Sequence, residues 1–284
     1  MATVTSGLAS PGAVAARRPR AGLAGTLRSE LTKVGSVRST YWSLLLLVLA
    51  SVAWSVAFCA GTAAHWLHMS AQDRSGVDPT QSSVMGLALL GQLVIVVLGA
   101  LMITSEYSTG MMRTSLTVMP RRGVLYGAKA LVFMAVALAT TFPASFICFF
   151  VGQRLLASTH AAATLSQPNV LRSVIVTALF ATLCGMFALG LGTVLRNTAG
   201  TITVAYGLLF LIPQLARALP TAWYQDAVRW LPGGLFIPQI TGTSNSPQNA
   251  IPHMFSAWGE LGVFAGYTAI LLIAGAAVLR RRDA

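Results

Sequence analysis

Six apolar runs, each long enough to cross a bilayer, constrain this chain more than any other feature. About 20 consecutive apolar residues in a helix span the hydrocarbon core, where backbone groups must be hydrogen-bonded internally. Of the 284 residues, 55% are hydrophobic and only 9% are charged, against about 25% charged in ordinary soluble domains. The sequence therefore predicts an all-α integral membrane protein. We expect spans at about residues 41–64, 84–104, 124–152, 170–195, 199–219 and 257–279.

The distribution of basic residues predicts the orientation of the spans, because cytoplasmic loops carry an excess of Arg and Lys. Six basic residues precede the first span, and four follow the second span, from Arg113 to Lys129 inclusive. With Arg196 and three C-terminal arginines, 14 of the 19 lie on one side. The other five are Arg74, Arg154, Arg172, Arg217 and Arg229. Both termini are therefore expected in the cytoplasm.

Three segments outside the spans have distinct patterns. Residues 1–19 show no periodicity and predict a disordered leader. In residues 20–39, apolar side chains recur at helical spacing, at Leu23, Leu27, Leu31 and Val34. This pattern predicts an amphipathic helix at the membrane interface, with a solvated basic lead-in as the alternative. Residues 220–256 are rich in Pro, Gly and Trp and predict short extracellular helices before the last span.

The sequence contains no pattern for chemistry of its own. No GxxxxGK[ST] motif occurs, so a P-loop for nucleotide is excluded. The acids are scattered, and the three cysteines lie in apolar runs without metal-ligand spacing. We expect no catalytic site, no metal and no cofactor bound by this chain. Despite the net charge of +12, no basic domain suited to nucleic acid is present.

Three polar residues within the apolar runs are candidates for a substrate pathway or gate, namely Gln92, Gln214 and Glu260. Polar groups inside membranes are costly and often functional. Interhelical hydrogen bonds explain the two glutamines equally well, and an ordinary interfacial position is the alternative for Glu260.

A polar and basic segment, Ser105–Arg122, separates the second and third apolar runs. Ser105 or Ser108 can cap a helix there, with Glu106 at its positive end, and Gly110 permits a sharp break from the preceding span. Four apolar side chains can form one face, at Met111, Met112, Leu116 and Met119. Exposed methionines suit docking into an adaptable groove; a surface helix that touches only lipid headgroups is the alternative.

This segment resembles the first cytoplasmic loop of ABC-2-type ABC transporter permeases. The resemblance rests on Glu106-Tyr107, Gly110, Arg113-Thr114 and the ending Pro120-Arg121-Arg122. Residues 20–284 share the family's arrangement of an amphipathic helix, six spans and irregular outer helices. The C-terminal Leu279-Arg-Arg-Arg-Asp-Ala is typical of its actinobacterial members, which implies a bacterial plasma membrane.

The resemblance implies a permease that forms a homodimer or pseudo-dimer in the bilayer and binds two ABC ATPase subunits. ATP and Mg would be bound by those subunits, and substrate would move outward. In the family this loop is the coupling helix that contacts the ATPase. The corresponding residues are Glu106, Tyr107, Gly110, Met111, Met112 and Arg113, although Met111 replaces the usual small residue. The alternative is a non-transporting immunity or scaffold protein that binds a peptide or drug at its outer loop.

Overall fold

The architecture is that of a helical membrane protein. The computed structural model describes residues 23–111, 122–159, 162–216, 230 and 256–281. Across these residues all regular structure is helical, and six helices are long and apolar enough to cross a membrane. The predicted all-α class and the six helices with the length and composition of spans are therefore confirmed.

Eight helices make up the described fold, besides single 3-10 turns at Trp66–His68 and Ala157–Thr159. The first and third are too short or too polar to span a membrane, whereas the other six are the candidate spans. In chain order they are α1 Leu23–Ser36, α2 Arg38–His65, α3 Ala71–Gly76, α4 Pro79–Ser108, α5 Arg122–Leu156, α6 Val170–Leu195, α7 Thr198–Leu215 and α8 Ala257–Arg281.

Several sequence predictions lie on residues that the structure does not describe. They are the leader at 1–19, the coupling helix beyond Met111 and nearly all of the outer segment at 220–256. The sidedness of the termini also stays a prediction, since the coordinates contain no bilayer.

The start of α4 lies five residues before the predicted boundary because a capping motif precedes the apolar run. Asp78 is the N-cap, and its carboxylate accepts from the amides of Thr80 at 2.9 Å and Gln81 at 3.1 Å. Pro79 follows in the first helical turn, where its missing N–H costs no hydrogen bond. Polar capping chemistry, rather than hydropathy, therefore sets this end.

The end of α4 corrects the prediction that Ser105 or Ser108 caps a new helix. Both residues belong to α4 itself, and their hydroxyls donate back to the carbonyls of Leu101 and Ser105 at 2.6 and 3.0 Å. Such back-bonding satisfies the hydroxyl inside a helix, so the helix continues past Thr104. The predicted break at Gly110 is confirmed, because its φ of +70° is left-handed.

Helix α5 runs continuously from Arg122 to Leu156, and Pro143 inside it leaves no interruption. The fifth span was expected to reach residue 219, but the described part of α7 ends earlier, after a π-helical turn at Gly207–Leu211. Residues 217–219 are outside the described part of the chain.

The centre of the bundle is α6. Some 83% of its most apolar window is buried, compared with 22% for α2, α7 and α8. It packs most extensively on α4 and α8, and small residues make this approach close. A Cβ added at Gly99 would overlap the carbonyl oxygen of Gly185, so only glycine fits at that crossing. By contrast, Gly262 and Gly266 on α8 have no atom within 4 Å of the position that a Cβ would take, so a side chain fits at both.

We predict that Gly99→Val lowers the thermal stability of the detergent-solubilised protein, by about 1–3 kcal/mol for an overpacked core. Gly262→Val is the matched control, because a Cβ there meets nothing within 4 Å. Melting followed by circular dichroism measures both variants. Equal melting temperatures for Gly99→Val and wild type would show that α4 and α6 are not in close contact.

Candidate functional site

A network of four charged side chains, three of them buried, joins three helices. The ammonium of Lys129 on α5 lies 2.7 Å from Glu30 Oε2 on α1 and 2.7 Å from Glu106 Oε1 on α4. Lys33 on α1 lies 2.6 Å from Glu30 Oε1 and 3.5 Å from Glu106 Oε1. Glu30 is 0% exposed, Lys129 is 2% exposed and Glu106 is 7% exposed. We call these four residues the charge network.

The charge network is electrically balanced, with two carboxylates and two ammonium groups. Removing an ion from water costs several kcal/mol unless a partner of opposite charge compensates. Burial by itself would raise the pKa of Glu30, but Lys129 and Lys33 outweigh it and lower that pKa. For Lys33, burial favours a lower pKa, but the two glutamates outweigh it and raise that pKa. Both shifts favour the charged forms of Glu30 and Lys33.

The helices bring these side chains together through ordinary spacing. Glu30 and Lys33 are three residues apart on α1, so they share one face of that helix. Glu106 lies two residues before the end of α4, and Lys129 lies seven residues after the start of α5, about 10 Å along the axis. Because α4 and α5 are consecutive spans, these two ends lie on the same side of the bundle.

The position of α1 differs from a helix that only rests on lipid. Its buried residues are the polar Thr26 and Glu30, and it packs on α5. Leu31, on the predicted apolar stripe, is 50% exposed. The polar stripe therefore faces the protein, since Glu30 can be buried only where Lys129 neutralises it.

Sequence reasoning missed the charge network, although a signal was present. Lys33 and Lys129 are the only two lysines among 19 basic residues, and Glu30 and Glu106 are two of only three glutamates. A lysine is a compact point charge on a flexible stem, which lets Lys129 reach two carboxylates from inside a helix. Its rarity in an arginine-rich chain was the available clue.

The structure places the predicted coupling residues in two environments. Glu106 is buried in the charge network, and Tyr107 is half-buried, with the Arg196 guanidinium 5.0 Å from its ring centroid. Gly110 forms the left-handed turn, and Met111 after it is 46% exposed. Met112 and Arg113 lie outside the described residues.

The three candidate pathway residues do not form one site. Gln92 on α4 is fully buried, and its side-chain amide contacts the Cys184 thiol on α6. The Glu260 carboxylate on α8 is also fully buried and has no hydrogen-bond partner among the described residues. Gln214 on α7 is exposed. No hydrogen bond joins any two of them, so their assignment to a pathway stays a prediction.

A cleft of about 440 Å³ opens beside the charge network, between α1, α2, α4 and α5. All four network residues line it, and apolar side chains form most of its wall, namely Leu44, Ile95, Leu98, Leu101, Met102 and Phe133. A cleft of this size and character can hold a small amphiphilic molecule.

Within the described part of the chain, no group of three or more His, Cys, Asp or Glu side chains could hold a metal ion. The sequence matches no protein-family model and no curated protein.

We predict that Lys129→Met destabilises the protein by about 3–5 kcal/mol, because it leaves two buried carboxylates without their shared cation. Arg154→Met on the same helix is the matched control. Its side chain is exposed, so its effect should stay within about 0.5 kcal/mol. Adding Glu30→Gln to Lys129→Met should recover part of the loss, since Lys33 and Glu106 then balance. Thermal melting in detergent measures all three, and equal stability of the two single variants would contradict a buried network.

The pH dependence of stability follows from the same groups. Because the pKa of Glu30 is lowered below 4.5, its contribution is complete above that pH and is lost as the pH falls through the folded-state pKa. Because the pKa of Lys33 is raised above 10.5, its contribution is complete below that pH and is lost above it. Melting temperature should therefore fall on acidification below about pH 4.5, less steeply in Glu30→Gln. Parallel slopes would contradict the assignment.

Proposed function

We propose that this chain is the membrane-spanning subunit of an ATP-driven exporter in a bacterial plasma membrane, similar to ABC-2-type permeases. The observation that carries the proposal is an ion pair between the two helices that the segment Ser105–Arg122 connects. That segment leaves α4 at the Gly110 turn and returns at the start of α5. The Glu106–Lys129 ion pair, at 2.7 Å, ties the two helix ends together.

The Glu106–Lys129 ion pair is suited to transmitting a force from the connecting segment to the spans. A force applied to a loop between two spans moves both helices only if their ends cannot slide independently. Lys129 fixes the end of α4 to the start of α5 and also holds α1 through Glu30. Closure of a partner on the segment would therefore shift α1, α4 and α5 as a unit.

The coupling residues divide into two roles in this proposal. Met111, Met112 and Arg113 supply the contact surface, and Gly110 sets the angle at which they leave α4. Glu106 and Tyr107 act from inside, because their side chains are buried or half-buried and hold the end of α4 through Lys129 and Arg196.

The partner in this proposal is an ABC ATPase subunit, present in two copies that bind ATP and Mg. These 284 residues contain no GxxxxGK[ST] motif, which supports a separate subunit as the site of ATP binding. Two permease copies, or one copy and a similar chain, would enclose the substrate pathway.

We predict that the tagged full-length protein, purified from its native membranes, carries with it a P-loop protein with ATPase activity. Met111→Glu should remove most of that protein, because it places a charge at an exposed apolar position beside the Gly110 turn. Leu67→Glu is the control, since Leu67 is 83% exposed at the opposite end of the spans. Glu106→Arg is unsuitable because it would disrupt the fold. Retention of the ATPase by Met111→Glu would contradict docking at this segment, and resistance to a toxic peptide without any ATPase would favour the immunity function.

The orientation can be tested with two variants that each add one exposed cysteine. The native thiols at Cys59, Cys148 and Cys184 are all buried, so they give a low background. Met111→Cys should react with a membrane-impermeant maleimide only in inverted vesicles, and Leu67→Cys only in intact cells. Labelling of both reporters from the same side would contradict the proposed topology, and the reverse pattern would place the termini outside.

A further inference from the structure

The start of α8 buries an acid that has no partner of opposite charge. Helix α8 begins at Ala257, and Glu260 lies in its first turn. Glu260 is 0% exposed, and neither of its carboxyl oxygens has a hydrogen-bond partner among the described residues. The other two glutamates of the chain, Glu30 and Glu106, are also buried, but each has an oxygen 2.7 Å from the Lys129 ammonium. Glu260 is therefore the buried glutamate whose charge the described residues do not balance.

Glu260 belongs to the stripe of α8 that packs on α6. Among the described helices, α6 makes the most extensive contact with α8. Phe264, one turn after Glu260, has its ring centroid 5.3 Å from that of Phe180 and 5.7 Å from that of Phe187, both on α6. The buried residues of α8 recur at helical spacing, at Ala257, Glu260, Leu261, Phe264, Thr268, Gly275 and Leu279.

No described group supplies a positive charge beside this carboxyl. Helices α6 and α5 both pack on α8. The Cys184 thiol contacts Gln92 on α4, and the Tyr267 hydroxyl donates to the carbonyl of Trp230. Among the described residues, no charge acts on the Glu260 carboxyl. The titratable side chains nearest to it along the three helices are Arg172 and Cys184 on α6, Cys148 on α5 and Tyr267 on α8.

The physical consequence is that the Glu260 carboxyl is neutral in the described fold. An unpaired ion costs several times more free energy in an apolar interior than a neutral polar group. The helix dipole at the start of α8 favours a negative charge, but this effect is weaker than the cost of burying the ion. Binding a proton removes the charge, whereas Glu30 and Glu106 are compensated by lysines.

This acid lies at the end of the bundle away from the charge network. At the other end of α8, the Leu279 carbonyl accepts from Arg122 at the start of α5, at 3.1 Å. Glu260 precedes Leu279 by 19 residues, which is about 28 Å along a helix. Whatever occurs at Glu260 is therefore separate from the Glu106–Lys129 ion pair.

We propose that Glu260 is a proton-binding site that the contact between α6 and α8 occludes. The carboxyl holds one proton in the described fold. When the start of α8 separates from α6 and water reaches the side chain, the carboxyl O–H bond breaks, its electron pair stays on the carboxylate and the proton passes to water. Reclosure takes up one proton again. The site does not depend on the exporter function proposed above.

Infrared spectroscopy detects the bound proton directly, because the C=O stretch of a protonated carboxyl is distinct from the bands of a carboxylate. The full-length protein at neutral pH, in a detergent without carbonyl groups, should show this stretch, and Glu260→Gln should lose it. Asp73→Asn is the matched control and should keep it, because Asp73 is exposed and accepts from the Ser70 hydroxyl. Absence of the band from the wild type would overturn the proposal whether or not Glu260→Gln folds, and so would its retention in Glu260→Gln.

The pH dependence of stability gives a second readout. At neutral pH the unfolded chain has released the proton that the fold retains, so raising the pH favours the unfolded state of the wild type. Glu260→Gln has no such proton. Its melting temperature minus that of the wild type should therefore grow as the pH is raised from acidic to neutral, and parallel curves would overturn the proposal.

Deuterium exchange tests the occlusion. After transfer to deuterium oxide, the protonated-carboxyl band should shift slowly in the wild type. Phe264→Ala loosens the contact of α8 with Phe180 and Phe187 and should accelerate the shift about tenfold or more. Ile270→Ala is the control on the same helix, because Ile270 is 63% exposed. Equal exchange rates in Phe264→Ala and Ile270→Ala would overturn occlusion by α6.

Discussion

The ammonium of Lys129 is the constraint on which one end of the helical bundle depends. A lysine buried inside an apolar helix must be neutralised, and no carboxylate on α5 itself is available within reach. Glu30 and Glu106 come from two other helices, each with an oxygen 2.7 Å from the Lys129 nitrogen. One cation therefore fixes the position of α1 and the end of α4 together, which packing of apolar surfaces in lipid would leave free to slide.

Close packing of small residues, rather than ionic pairing, organises the centre of the bundle. Around α6 the helices approach through small residues and shape, as at Gly99 and Gly185, where no side chain intervenes. Association inside lipid depends on such close packing because water contributes no hydrophobic force between helices there. The protein thus combines a tightly packed centre with an ionic junction of α1, α4 and α5 at one end.

The fold was predictable where the signal was local. Hydropathy identified all six candidate spans, and Gly110 was expected to end α4, as its φ of +70° confirms. The helix ends that depend on polar side chains were predicted wrongly. Asp78 caps α4 earlier than expected, and the hydroxyls of Ser105 and Ser108, which donate back to helix carbonyls, lie in a helix that continues past Thr104.

The site was predictable only in part, because its key contacts are not local. Glu106 was noticed as a polar residue near a helix end. Its partner Lys129 lies 23 residues away in sequence. Glu30, which shares that cation, lies 76 residues from Glu106. The apolar stripe of α1 was expected to face the lipid boundary, and Leu31 on that stripe is indeed 50% exposed. What the stripe did not predict is that the other face packs on α5, with Glu30 buried beside Lys129.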